Sequence, residues 1–148
     1  MTLYFLESSA LAKLFIAELG SDRLIALIEP LAAAQKLVSA LGAVEVHSAI
    51  RRREREGDLS HNDADRALSI LTAESASMTE QPINTPVIET AKQMLDRHRL
   101  RSLDAIQLAS GWVARATAGV TDVVFVASDQ TLLSAAEAEG FQVWNPEN

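Results

Sequence analysis

The sequence has no cysteine in its 148 residues. That removes disulfides, thiolate metal sites and a cysteine nucleophile together, and it suits a reducing compartment. Aromatic residues are scarce, at 5%, so Ala, Leu, Ile and Val have to supply the core. No apolar run is long enough to cross a bilayer; the most apolar internal one, Leu24 to Ala34, is broken by Glu29 and Pro30. No basic stretch precedes the first apolar residues and Glu7 interrupts them, so a cytoplasmic protein without a signal peptide is expected. The P-loop, the dinucleotide fingerprint and the serine-hydrolase elbow are all missing. The histidines are His47, His61 and His98, none beside the acids discussed below, so a metal-free two-histidine ribonuclease mechanism has little to stand on. A net charge of −7 excludes coating of nucleic acid by bulk attraction.

The positive charge that is present is concentrated. Seven of the 13 basic residues fall in two stretches, Arg51, Arg52, Arg53 and Arg55, then Arg97, Arg99 and Arg101. Solvated helix ends account for such stretches. A phosphate-binding rim on an acidic body, with Arg52, Arg53, Arg99 and Arg101 as contacts, is the sharper reading.

One domain is expected over residues 1–148. Strands are expected at 3–6, 37–40, 123–127 and 141–144, with a brief extended segment at 79–83. Helices are expected over 9–18 with Ser8 or Ser9 as cap, over 21–29 capped by Ser21, and over 41–56. Further helices are expected over 61–75, 85–98, 102–118 capped by Ser102, and 130–138. Strands apolar on both faces and alternating with helices indicate a three-layer α/β/α domain around a central parallel sheet. The longest gap between strands, 41–78, holds a helical pair that is expected to project and offer a surface to a partner.

Ligands of open parallel sheets bind at the carboxyl ends of the strands. Glu7 directly follows the first strand, and Asp129 follows VVFVA with only Ser128 between. Asp129 also reads as a helix cap; Glu7 fits that role poorly, because glutamate is a weak cap and two serines adjoin it. Glu45 shares a helix face with Leu41, Ser48 and Ala49, where an ion pair with an arginine is the plain explanation. Asp104 lies on a row with Leu100, Leu108 and Gly111 near a helix start, where the helix dipole favours an acid. Brought together, four acids need protons or cations to persist. Oxygen ligands without His or Cys suit Mg²⁺ or Mn²⁺. Such a site serves phosphoryl chemistry by activating water, with no nucleophilic side chain required. A phosphate-accepting aspartate after the first strand is not available, since that position is Glu7.

The stretches YFLESSALAKLF, SALGAVEVHSAIRRREREG, LRSLDAIQLAS and VFVASDQTLLSAAEAEGFQVWNP, in that order, resemble the PIN-domain family. The resemblance extends to the toxin ribonucleases of VapBC toxin–antitoxin pairs. It implies a parallel sheet flanked by helices, a divalent metal held by Glu7, Glu45, Asp104 and Asp129, and hydrolysis of RNA leaving a 5′-phosphate. It implies Ser9 and Ser128 as the hydroxyls accompanying the first and last acids. It also implies a VapB-like antitoxin partner and a homodimer. The departure is Glu7, where the family has aspartate; the carboxylate is one methylene longer, and Mg²⁺ tolerates misplaced ligands badly. Two other readings share these residues: a PIN fold with weakened catalysis that binds a protein partner, and a nuclease of RNA processing or of DNA.

Overall fold

A computed structural model describes residues 1–148. In chain order the elements are β1 (Leu3–Leu6), α1 (Ser8–Leu11), α2 (Ser21–Ile28), β2 (Lys36–Ser39), α3 (Ala40–Arg55) and α4 (His61–Ser77). They continue with β3 (Thr79–Gln81), α5 (Thr85–Arg97), α6 (Ser102–Ala118), β4 (Val123–Val126), α7 (Gln130–Ala138) and β5 (Gln142–Trp144). The five strands form one sheet in the order β3-β2-β1-β4-β5, and every pairing is parallel. β1 is therefore central, with Tyr4 opposite Lys36 on one side and Val124 on the other. Crossover to either side of β1 makes the carboxyl ends of β1 and β4 the point where the winding reverses, which opens a crevice there.

Alternation along the strands divides the core into two halves. Leu3, Phe5, Leu37, Val123 and Phe125 face a layer made by α5, α6 and α7. Leu6, Val38 and Val126 face a second layer made by α1 to α4. In the first half Phe5 and Phe125 stack with ring centroids 5.2 Å apart. Each is fully buried, a contribution of roughly 1.5–3 kcal/mol apiece. α6 crosses these rings at Gly111, where a Cβ would meet both phenyl rings at 3.3 Å. The helical pair α3–α4 buries Val46, Ile50, Ala64, Ala67 and Leu71 against the sheet and leaves Val44 and Ile70 exposed.

Four local expectations need correction. The first helix stops at Leu11 and tightens into a 3₁₀ turn over Ala12–Leu14 rather than reaching residue 18. The fully packed Lys13 explains this: its ammonium pairs with Glu18 and with Glu147, drawing the chain back toward its own C-terminal end. The cap of α1 is Glu7, neither serine; its carboxylate accepts from the Ser9 N–H. Gly20, at φ +88°, precedes α2 in place of a serine cap. The Ser21 hydroxyl instead accepts from the Glu18 N–H and donates to the Ile16 carbonyl. α6 starts without a side-chain cap, its entry residue being Arg101 and not Ser102.

Candidate functional site

Four separate elements bring acids to the carboxyl edge of the sheet. Glu7 ends β1 and Asp129 follows β4, while Glu45 and Asp104 come from the early turns of α3 and α6. Glu7, Glu45, Ser9 and Ser128 line one concavity, and Glu45, Asp104 and Asp129 line an adjoining one. Glu45 is common to both.

Glu7 is 6% exposed, and its pKa is pushed up to about 7. Burial is the main cause; hydrogen bonds from Ser9 oppose it, and the charges of Glu45 and Asp104 add to it. Its Oε2 accepts from the Ser9 N–H at 2.9 Å and from the Ser9 hydroxyl. The same hydroxyl accepts from the Ser128 N–H at 3.0 Å, so Ser9 ties the end of β4 to the end of β1. The serine that accompanies the first acid is thus a structural bridge at the crevice.

Glu45 has no arginine partner. Its Oε1 accepts from the Ser8 hydroxyl at 2.6 Å and from the Gln107 amide at 2.9 Å. Asp104, half-buried in the first turn of α6, has its pKa raised, first by burial and then by Asp129, with Arg101 partly offsetting. Asp129 does cap its helix: Oδ1 accepts from the N–H groups of Thr131 and Leu132 at 2.8 and 3.2 Å. Capping and ligation are compatible here, because only one of its oxygens is engaged.

The same division holds for three of the acids. Glu7, Glu45 and Asp129 each give one oxygen to the fold and keep the other free of protein donors. An all-oxygen, anionic set with free lone pairs suits a hard divalent cation. As the side chains stand, no three of them converge closely enough to hold an ion. Burial first, and mutual repulsion in addition, raise the pKa of Glu7 and Asp104; a cation would relieve the repulsion.

The arginines separate into two groups. Arg51 pairs with Glu54 and Asp65, Arg53 with Glu18, and Arg97 with Glu139. Arg53 is thus engaged by Glu18 in this structure, at the same concavity as Glu7 and Glu45. Arg52, beside Glu7 and Glu45, and Arg99 and Arg101, beside Asp104 and Asp129, form no ion pair. Sequence reasoning missed Ser8 and Gln107. The one available signal was an amide at 107 inside the run Ala105 to Ala109, three residues after Asp104.

The profile of the PIN domain matches residues 4–138. Ribonuclease VapC35 of Mycobacterium tuberculosis, in strains CDC 1551 / Oshkosh and H37Rv, is 33% identical over 142 residues, covering 96% of both chains. Among solved structures, FitAcB from Neisseria gonorrhoeae superposes with a TM-score of 0.66 at 15% identity, covering 97% of this chain and 98% of that one. PAE2754 from Pyrobaculum aerophilum gives 0.64 at 20% identity, over 99% and 90% of the two chains. DNA-bound VapBC from Salmonella typhimurium gives 0.61 at 10% identity, over 99% of each. With the fold, the crevice and the sequence in agreement, the chain belongs to the PIN-domain family, among its VapC-like members.

Proposed function

We propose that this protein is a metal-dependent endoribonuclease toxin of the cytoplasm, neutralised by a VapB-like antitoxin. The observation that carries the proposal is the arrival of Glu7, Glu45, Asp104 and Asp129 at one sheet edge from four separate elements. Its likeness along almost the whole chain to a protein named a ribonuclease supports RNA as the substrate. The four carboxylates would hold Mg²⁺ or Mn²⁺. Such an ion, when bound, supplies charge neutralisation at the phosphate and a more acidic water.

The remaining work falls to the chain's own groups. Arg52 on one side of Glu45, and Arg99 and Arg101 on the other, bind flanking phosphates and set the strand across the acids. Glu7, Glu45 and Asp129, each with one oxygen free of protein donors, offer proton acceptors at the crevice. Water attacks phosphorus, its proton passes to a carboxylate, the bond from phosphorus to the 3′ oxygen breaks, and that oxygen takes up a proton from solvent water. The products are a 5′-phosphate and a 3′-hydroxyl.

An antitoxin partner is supported by the neighbours solved as FitAB and VapBC. The exposed Val44 and Ile70 on the helical pair suit a peptide partner. A basic side chain of that partner, reaching the acids, would replace the cation's charge. A homodimer belongs to the same reading and is checked by light scattering.

The test is cleavage of a structured RNA in Mg²⁺ and in Mn²⁺, beside an EDTA control and Asp104→Asn, with a matched DNA oligonucleotide. RNA cleavage that needs metal and Asp104 is expected. Cleavage indifferent to EDTA and to Asp104→Asn refutes the proposal. No cleavage until Glu7→Asp is introduced would identify a nuclease fold with weakened catalysis.

A further inference from the structure

We infer that Gln107 is the positioning residue for Glu45, fixing which carboxylate oxygen of Glu45 is offered to the crevice. The inference rests on the metal-site reading above and concerns a residue outside the four acids.

Gln107 is 1% exposed on α6, flanked by Ala105, Leu108 and Ala109 of the core. Its Nε2 donates to Glu45 Oε1 at 2.9 Å and to the Ser8 hydroxyl oxygen at 2.7 Å. The Ser8 hydroxyl in turn donates to Glu45 Oε1 at 2.6 Å. These three bonds close a triangle on one oxygen. Oε2 of Glu45 is left without a protein donor.

The amide has only one workable orientation. Flipping it would set its own oxygen against the carboxylate oxygen of Glu45, acceptor against acceptor. As oriented, Gln107 Oε1 is buried with no partner in the chain. A group in that state costs on the order of 1–3 kcal/mol. Leu or Met would fill the same volume without that cost. A residue kept for packing would not carry this penalty, whereas one kept to hold a carboxylate does.

The placement also links two ligands. Asp104 and Gln107 are three apart on one helix and so project along the same side. α6 thus presents one acid directly and orients a second acid from α3. Ser8 adds a tie from α1, next to Glu7. Rigid elements therefore hold Glu45 from two directions before any ligand arrives.

The test measures Mn²⁺ affinity of the purified protein by calorimetry, with unfolding followed separately in EDTA. Gln107→Met keeps the volume and removes the donor. Gln107→Asn keeps an amide but is one methylene too short to reach Glu45, and it decides the matter if the Met variant does not fold. The expected result is a 10–100-fold loss of Mn²⁺ affinity in a folded protein, the usual effect of losing an outer partner of a metal ligand. Introduced into Glu45→Ala, the same substitutions should cause no further loss, because the group they position is gone. A purely structural role lowers the unfolding midpoint but leaves Mn²⁺ affinity within twofold, and that result overturns the inference. So does an equal, additive loss in the Glu45→Ala background. If the wild-type protein itself binds no Mn²⁺, the metal-site reading falls and this inference falls with it; unchanged binding in the variants sinks the inference alone.

Discussion

Glu7→Gln in the metal-free protein is the most informative perturbation, because Glu7 is where the fold carries an electrostatic cost. An ordinary glutamate titrates near 4.5, and burial moves Glu7 to about 7. At about 1.4 kcal/mol per tenfold change, that difference is worth on the order of 3 kcal/mol. The folded pKa lies above the unfolded one, so the folded state holds the proton more tightly. Stability is full below about pH 4.5, declines as pH rises toward 7, and levels off above that. The sequence pI is 4.9, so unfolding is best followed from about pH 5.5 to 8.5, a window holding about 2 kcal/mol of the effect. For a chain of this size that is roughly 4–8 °C in Tm. Glutamine keeps the shape and an acceptor for Ser9 but cannot ionise. In EDTA the wild-type Tm should therefore fall across the window relative to that of Glu7→Gln, leaving the variant the more stable at pH 8. Excess Mn²⁺ should restore the wild type at pH 8 and do little for the variant, since a ligand bound only by the folded form stabilises it. Wild-type and variant curves that run parallel from pH 5.5 to 8.5 would refute the argument.

Three further results are expected. Gly111→Ala places a methyl 3.3 Å from both Phe5 and Phe125; overpacking of this kind costs about 1–3 kcal/mol, read by urea unfolding with little change in metal affinity. Gly20→Ala combines φ +88° with a Cβ 2.9 Å from the backbone of Pro146, so the C-terminal segment should detach. Faster proteolysis after Pro146 and a lower Tm would report it. Arg52→Ala combined with Arg101→Ala should weaken binding of a non-cleaved RNA analogue and reduce its salt slope by about 2, one for each lost phosphate contact; an unchanged slope removes these residues from the strand's path.

The α/β alternation and most element boundaries were legible because they rest on local patterns: an apolar run at 3–6, a largely β-branched one at 123–126, glycines after helices, and Thr85 with Pro86 in the first turn of α5. What was not legible depends on partners far apart in sequence. Lys13 shortens the first helix through Glu147, and nothing near position 13 announces that bond. Glu7 caps α1 although glutamate ranks low as a cap, because strand and helix join there without an intervening loop. The four acids could be named from strand ends and helix faces. Glu45's true partners could not: its helix carries four nearby arginines, yet it binds a serine and a glutamine from two other elements. Arg53 shows the converse, a candidate phosphate contact already taken by Glu18.

The central place of β1 also has a consequence in time. Leu3 pairs with Val123 and Leu6 with Val126, so the first strand to leave a ribosome waits for almost the last. Until β4 is made, Glu7 has neither the strand beside it nor the Ser9–Ser128 tie that shapes its surroundings. A nascent or prematurely terminated chain therefore lacks half of the crevice. The order of the strands delays the assembled acid edge until synthesis is all but complete, leaving an interval in which a partner already present can meet the emerging helices first.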